Sequence, residues 1–172
     1  MNTQSLASVA VLKEEQTKTI EPLTKHANHS WKKSAEIFSD HQTLGGVLVI
    51  DDDPNIRKLI RLILENDRYD VIEAEDGQVA IDLLRIEDPP MDIDLIITDL
   101  NMPEVDGFEV IAYCQKEWPE IPLIVLTGTS YVQLAISFMR QGVTDYLVKP
   151  IDAKKLTASV AHAIAQQQLI WA

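Results

Sequence analysis

The sequence predicts an α/β fold in which a doubly wound parallel sheet, with strand order 2-1-3-4-5, lies between two layers of helices. Two observations predict it: from Gly45 onward, short apolar runs alternate with longer segments of helical period, and the runs are rich in β-branched residues. Such strands are typical of parallel sheets covered on both faces. Right-handed crossovers then give a three-layer (βα)5 domain with functional residues at the carboxyl ends of its strands.

Each predicted element has its own signal in the sequence. The predicted strands are the apolar runs at residues 47–50, 69–74, 94–99, 121–126 and 144–149. The first predicted helix has Pro54 in its first turn and apolar residues at helical spacing through residue 64. The other predicted helices lie at residues 79–84, 108–118, 131–139 and 154–168. Strands and helices therefore alternate along this part of the chain.

Residues 1–44 are predicted to be an N-terminal extension, and residues 45–172 the folded domain. The extension has no glycine, one proline and only scattered apolar positions, so a mobile or partly helical tail is expected. Ser30 could cap a short helix within it, and docking of such a helix on the domain is the alternative. Gly45 and Gly46 would form the hinge.

Charge is distributed unevenly over a chain whose net charge is −12. Residues 1–44 hold five Lys and five Asp or Glu, whereas residues 45–172 hold ten Lys or Arg and twenty-two Asp or Glu. An acidic domain repels phosphate backbones, so no direct binding of nucleic acid is expected, while cations and basic protein surfaces are plausible partners. The simpler interpretation, that acidity only aids solubility, stays open.

Membrane insertion and a disulfide framework are both unexpected. No apolar run approaches the roughly 18 residues that a membrane span needs. Cys114 is the single cysteine, which fits a reducing compartment and the role of a small buried apolar residue. A cytoplasmic location is therefore predicted.

Carboxylates follow two predicted strands at the points where those strands end. Asp51, Asp52 and Asp53 come directly after the first strand, and Asp99 ends the third. In the predicted sheet these strands are neighbours, so their carboxyl ends share one crevice. Carboxylates so close repel one another unless a hard cation neutralises them, and oxygen ligands at this density suit Mg²⁺. The sequence therefore predicts a divalent metal site here.

Each of these residues also has a simpler interpretation. Acidic residues after a strand often cap the next helix, and Asp53, which precedes Pro54, could do so. For Asp51 and Asp52 considered alone, the cap and the metal site both stay open. Asp99 could be a turn-forming residue.

The fourth and fifth strands end in polar side chains as well. Thr127 lies at the end of the fourth strand and Lys149 at the end of the fifth, so a hydroxyl and an ammonium would reach the same crevice. A lysine there is a partner for phosphate oxygens. Considered alone, Thr127 could be structural and Lys149 a solvated charge. Pro150 after Lys149 allows a cis bond in a tight turn, although such bonds are a minority among X-Pro pairs.

These strand-end residues, in this order, resemble those of the receiver domain of two-component response regulators, which has a flavodoxin-like fold. The resemblance covers residues 45–172. It is carried by the run DLNMPEVDG at 99–107 and by residues at four strand ends, which are Asp51, Asp52, Asp99, Thr127 and Lys149.

The resemblance implies a metal-ligand set for Mg²⁺. Asp52 would be a direct ligand, Asp51 a ligand through water, and Asp99 and the backbone carbonyl of Asn101 would complete the set. A shift of the acid pair by one residue, toward Asp53, stays open.

The resemblance also implies the chemistry, with Asp99, Thr127 and Lys149 as the catalytic residues. Asp99 would accept a phosphoryl group from a sensor histidine kinase, a histidine phosphotransfer protein or a small phosphodonor, with Mg²⁺ and Lys149 neutralising its oxygens. Thr127 would then hydrogen-bond the phosphate, and Tyr146 on the fifth strand would follow as the second switch residue. The face of the fourth predicted helix, fifth strand and fifth predicted helix would thereby select a downstream protein target.

The function expected is a phosphorylation-switched signalling module in the bacterial cytoplasm, not an enzyme beyond assisting its own phosphorylation and dephosphorylation. It would be a single-domain regulator, a phosphorelay intermediate or a fragment of a larger regulator, with a phosphorylation-dependent homodimer as one outcome. The alternative is a receiver-like protein-binding module that works without phosphorylation. A metal-dependent phosphohydrolase is a third hypothesis, but Asn101 stands where such enzymes commonly have a second aspartate.

Overall fold

The computed structural model describes residues 43–86, 91–128 and 142–170, which all belong to one compact unit, His41–Ala172. Five parallel strands form one sheet in the order β2-β1-β3-β4-β5, which confirms the predicted fold. The elements are β1 (Gly46–Ile50), α1 (Pro54–Asn66), β2 (Asp70–Ala74), α2 (Gly77–Leu84), β3 (Leu95–Asp99), α3 (Gly107–Glu117), β4 (Leu123–Thr127), β5 (Asp145–Val148) and α4 (Ala153–Ile170). The predicted helix at 131–139 and residues 1–42 of the predicted extension lie outside the described residues.

Alternate residues of each central strand enter two separate hydrophobic cores. On one face Val47 and Val49 of β1 pack with buried residues of α1 and α4, which are Ile60, Leu64, Leu156, Val160, Ala163 and Ile164. On the other face Leu48 and Ile50 pack with buried residues of α2 and α3, which are Ala80, Leu84, Val110, Ile111 and Cys114. Burial on both faces explains why the strands read as continuous apolar runs.

Strand β4 begins two residues later than its apolar run indicates. Pro122 has no N–H for the ladder, and the N–H of Ile121 donates to the Trp118 carbonyl at 3.1 Å in a turn. The strand therefore spans Leu123–Thr127, so Thr127 belongs to the strand itself.

Aspartate side chains cap the first three helices by accepting backbone N–H groups of the first turn. Asp53 caps α1, Asp76 caps α2 and Asp106 caps α3. The first of these caps confirms the simpler interpretation of Asp53 and frees Asp51 and Asp52 for another role. Within the described part of the chain, no helix is both long and apolar enough to cross a membrane.

Cys114 lies in the core between the sheet and α3, as the sequence predicts. Burial raises the pKa of its thiol from 9.0 to about 12. The thiol is therefore uncharged at neutral pH, and Cys114 acts as a small apolar side chain.

Gly107 allows the start of α3 to pack against the end of β3, where Asp99 lies. A Cβ at position 107 would stand 2.0 Å from the Asp99 carbonyl oxygen and 2.8 Å from the Leu100 Cα. Both neighbours are backbone atoms and cannot move aside as a flexible side chain could. The close contact thus links helix packing to the position of Asp99.

Gly107→Ala is expected to lower the free energy of unfolding by about 2–3 kcal/mol, because the added methyl group must displace backbone. Urea unfolding followed by circular dichroism measures the loss. Gly128→Ala is the matched control, since a Cβ there meets nothing within 4 Å. Equal losses in the two variants would show that the contact at Gly107 is not the cause.

Candidate functional site

Neighbouring strands deliver polar side chains to one edge of the sheet. Asp51 follows β1, Asp99 and Thr127 are the last residues of β3 and β4, and Lys149 follows β5. The strand register is continuous across the sheet, with Ile50 opposite Thr98, Asp99 opposite Leu126, and Thr127 opposite Val148. The residues that the sequence places at strand ends therefore lie at one edge of the sheet.

Three carboxylates meet at this edge. Asp51, Asp52 and Asp99 each have a carboxylate oxygen within 4.8 Å of those of the other two. Asp51 is fully buried, Asp99 is 7% exposed and Asp52 is exposed. This edge of the sheet therefore concentrates acidic oxygen ligands, and the Asp52 carboxylate among them is open to solvent.

Asp51 has both carboxylate oxygens engaged. Oδ1 accepts the N–H of Asp53 at 2.9 Å, and Oδ2 accepts Lys149 Nζ at 2.7 Å. Burial raises the pKa of Asp51 above its ordinary value of 3.8, although these two hydrogen bonds act in the opposite direction. Asp51 therefore carries its charge at a cost of desolvation.

Lys149 bridges two of the carboxylates. Its Nζ lies 2.7 Å from Asp51 Oδ2 and 2.8 Å from Asp99 Oδ2. Burial alone would lower the pKa of Lys149, but the hydrogen bonds to Asp51 and Asp99 raise it above its ordinary value. The ammonium is thus charged and balances part of the acidic cluster. The Lys149–Pro150 peptide bond is cis.

Asp52 and Asp53 have different environments, which bears on the choice of the acid pair. The backbone N–H of Asn55 donates to Asp53 at 2.8 Å, and this bond lowers the pKa of Asp53 below 3.8. Asp53 is committed to the helix cap, whereas Asp52 belongs to the cluster with Asp51 and Asp99. The geometry favours Asp51 and Asp52 over a pair shifted by one residue.

The remaining residues predicted for the site are Thr127, Asn101 and Tyr146, of which Asn101 contacts the cluster. Thr127 is fully buried, and its hydroxyl donates to the Gly128 carbonyl at 3.0 Å. Asn101 is exposed, and its N–H donates to Asp99 Oδ1 at 3.4 Å. Tyr146 is half-buried on β5 and packs against the core on the α2 and α3 side. Their roles stay predictions.

Arg57 is a residue at the site that the sequence analysis does not identify. Its Nη1 donates to the backbone carbonyls of Asp51 at 2.7 Å and Asp52 at 3.3 Å, while its Nε pairs with Glu73 at 3.2 Å. The available signal is spacing: side chains of a helix lean toward its N-terminus, and Arg57 lies one turn after the Asp53 cap.

The Asp51→Asn variant is expected to be more stable than the wild type at neutral pH in EDTA, by roughly 1 kcal/mol. Because the folded pKa of Asp51 is raised, its contribution to stability is fully present below pH 3.8 and is lost as the pH rises through the folded pKa. The advantage of the variant should therefore grow with pH. Urea unfolding between about pH 4 and pH 7 tests this.

Asp53→Asn is the control for that pH profile. In the wild type the folded pKa of the Asp53 carboxyl is lowered. The stability that this carboxylate contributes is therefore present above pH 3.8 and is lost as the pH falls through the lowered pKa. A pH profile of Asp51→Asn parallel to that of the wild type would contradict the assignment.

The donor set suits a divalent cation and a phosphoryl group. Oxygen ligands of Mg²⁺ at about 2.1 Å from the ion are separated by roughly 3–4 Å, so carboxylate oxygens within 4.8 Å can reach it with small movements or through water. The Lys149 ammonium, bonded to two of these carboxylates, and the Thr127 hydroxyl at a strand end of the same sheet edge are groups that can donate hydrogen bonds to phosphoryl oxygens.

Comparison with known proteins gives a family for most of the chain. Residues 47–161 match the profile of the family described as "Response regulator receiver domain". A crystal structure of a response regulator receiver domain protein from Clostridium thermocellum has 32% sequence identity and a TM-score of 0.68, and the match covers 74% of this chain and 99% of that one.

Two curated relatives are longer regulators. The transcriptional regulatory protein GlrR of Escherichia coli is 37% identical over 70% of this chain and 26% of its own length. FixJ of Bradyrhizobium diazoefficiens is 31% identical over 73% of this chain and 60% of its own length. The chain thus spans about a quarter to three fifths of these relatives. With the matched profile covering most of the chain, this protein belongs to the response regulator receiver domain family.

Proposed function

We propose that this domain accepts a phosphoryl group on Asp99 and, as a result, changes its contacts with other proteins. The observation that carries the proposal is the cluster of Asp51, Asp52 and Asp99 within 4.8 Å, bridged by Lys149. The two buried carboxylates of this cluster, those of Asp51 and Asp99, are costly to stability. In phosphoryl transfer each residue of the cluster would have a role.

Transfer would proceed by attack of an Asp99 carboxylate oxygen on phosphorus. The donor is a phosphohistidine of a sensor histidine kinase or of a histidine phosphotransfer protein. As the new O–P bond forms, the N–P bond breaks and its electron pair stays with the imidazole. Lys149 Nζ, which lies 2.8 Å from Asp99 Oδ2, would donate to a phosphoryl oxygen as negative charge spreads.

The acidic residues would hold Mg²⁺ during this transfer. Asp52 and Asp99 are the proposed direct ligands, Asp51 a ligand through water, and the Asn101 carbonyl a further ligand. Asp51 is fully buried and accepts hydrogen bonds on both oxygens, whereas Asp52 is exposed, which supports an indirect role for Asp51 and a direct one for Asp52. When bound, Mg²⁺ neutralises oxygens of the phosphoryl group and of the carboxylates.

A change at Thr127 would transmit phosphorylation to the surface. The Thr127 hydroxyl donates to the Gly128 carbonyl, and it can donate to a phosphoryl oxygen on Asp99 instead. Such an exchange would move the loop after β4. Tyr146, half-buried on the neighbouring strand β5, would then repack and change the face formed by β5, α4 and the helix predicted at 131–139.

The partners proposed are a phosphodonor protein and a downstream protein target. The named relatives are transcriptional regulators, but the excess of acidic residues in 45–172 supports a protein as the direct partner of this domain rather than nucleic acid. A cytoplasmic location fits such partners. A pull-down with and without the phosphate mimic beryllofluoride would identify the target.

The test is incubation of the chain with Mg²⁺ and acetyl phosphate, followed by intact-mass analysis. The wild type should gain one phosphoryl group that hydroxylamine removes, as expected of an acyl phosphate. Asp99→Asn should gain none. Asp82→Asn, at an exposed position of α2, is the matched control and should behave as the wild type.

Each other result has a defined meaning. Phosphorylation that survives in Asp99→Asn would remove Asp99 from its role. Absence of any modification would favour a binding module that works without phosphorylation, and turnover of a small phosphoester would favour a phosphohydrolase.

A further inference from the structure

We propose that Arg57 is a positioning residue that holds the acid pair Asp51 and Asp52 in the conformation that binds a divalent cation. The inference rests on the metal site proposed above and adds a residue outside the ligand set. Arg57 Nη1 donates to the carbonyl oxygens of Asp51 at 2.7 Å and Asp52 at 3.3 Å. One guanidinium nitrogen thus fixes two successive carbonyls of the β1–α1 loop.

Glu73 holds the guanidinium from the other side. Arg57 Nε donates to Glu73 Oε2 at 3.2 Å, and Glu73 lies on β2, directly opposite Val49 of β1. Burial alone would raise the pKa of Glu73, but hydrogen bonds from Arg61 and Arg57 lower it below its ordinary value. The Arg57 side chain is only 12% exposed. Its fork is therefore held between a strand and the loop.

Fixing these carbonyls fixes the directions of the acidic side chains. The carbonyl orientations of Asp51 and Asp52 set the local backbone torsions, and those torsions determine where each Cα–Cβ bond points. The N–H of Asp53 adds a third restraint by donating to Asp51 Oδ1 at 2.9 Å. Without Arg57, mutual repulsion of the carboxylates would widen the cluster when no cation is bound.

Charge alone predicts the opposite effect of Arg57 on cation binding. A guanidinium near the acidic cluster repels a divalent cation, so its removal should strengthen binding if Coulomb interactions were its only contribution. Positioning predicts that removal weakens binding. The sign of the change in affinity therefore separates the two effects.

Arg61 provides a matched control on the same helix. It pairs with Glu73 through Oε1 and with Glu65 at 3.2 Å, so it shares the carboxylate that holds Arg57. Arg61 donates to Glu73 and Glu65 and not to the carbonyls of the β1–α1 loop. Arg61→Met removes the same charge and a comparable ion pair, but not the contacts that carry the inference.

The experiment is calorimetric titration of the full chain with MgCl₂ at a pH and temperature where urea unfolding shows each variant to be folded. Arg57→Met should raise the Kd for Mg²⁺ by about tenfold or more, the usual effect of losing an outer-shell partner. The Kd of Arg57→Lys for Mg²⁺ should lie between those of Arg57→Met and the wild type, because an ammonium keeps the charge but lacks the planar fork of the guanidinium. Arg61→Met should stay within about twofold of the wild type.

Two results would overturn the inference alone: a Kd of Arg57→Met within twofold of the wild type, or an equal weakening in Arg61→Met. Absence of Mg²⁺ binding to the wild type would overturn the proposed metal site and this inference with it. Should Arg57→Met not fold, Glu73→Gln keeps Arg57 but loosens it, and it should raise the Kd about threefold. An unchanged Kd in both Glu73→Gln and Arg57→Lys would then count against the inference.

Discussion

Lys149→Met is expected to lower the free energy of unfolding in EDTA at neutral pH by about 2–3 kcal/mol. The ammonium lies 2.7 Å from Asp51 and 2.8 Å from Asp99, whose side chains are 0% and 9% exposed. Its removal leaves two buried carboxylates side by side without their countercharge. Urea unfolding of the metal-free protein measures the loss.

Mg²⁺ should restore much of this stability. The cation neutralises the same two carboxylates, and in the variant it does not compete with the ammonium for them. The stabilisation produced by Mg²⁺ should therefore be larger in Lys149→Met than in the wild type. This comparison connects the destabilisation to the site and not to a general packing defect.

Lys116→Met is the control for the loss of an ion pair. Lys116 is 81% exposed and pairs with Glu117 at 2.9 Å on the surface of α3. Surface pairs of this kind contribute little, so the change in the free energy of unfolding should be much smaller than that of Lys149→Met. Similar losses for the two lysine variants would contradict the special position of Lys149.

The convergence of the site could be predicted from the sequence because it follows from topology. Asp51 and Lys149 are 98 residues apart, yet each follows a strand of one parallel sheet. Carboxyl ends of parallel strands meet at one edge, so strand order alone brings such residues together. Apolar runs located those strands because both faces of the sheet are buried.

The contacts at atomic scale could not be predicted in this way. The sequence indicates that Lys149 faces the crevice, but not that it bridges two carboxylates. Arg57 meets Glu73 only after β2 has paired with β1, which is a tertiary event that helix spacing does not report. The helix caps formed by Asp76 and Asp106 are local and could be predicted from the sequence, because aspartate is a common N-cap residue.

Stabilisation by Mg²⁺ should depend on Asp52 and not on the adjacent acid Asp53. At a concentration ten times its Kd, Mg²⁺ should stabilise the wild type by about 1.4 kcal/mol, and at one hundred times by about 2.7 kcal/mol. A domain of this size should melt about 5 °C higher at the lower concentration and about 10 °C higher at the higher one. In Asp52→Asn most of this shift should disappear, because the solvent-facing carboxylate of the cluster is lost.

Asp53→Asn is a control that changes the same chemical group one residue away. Asparagine caps helices about as well as aspartate, so the cap of α1 survives this substitution. Its melting temperature should therefore rise with Mg²⁺ as much as that of the wild type. If Mg²⁺ no longer raised the melting temperature of Asp53→Asn but still raised that of Asp52→Asn, the acid pair would be shifted by one residue toward Asp53. Asp53 would then have to leave its capping position to bind the metal. Thermal melts of the three proteins in EDTA and in MgCl₂, with CaCl₂ as a second cation, decide between the two pairs by which variant stops responding.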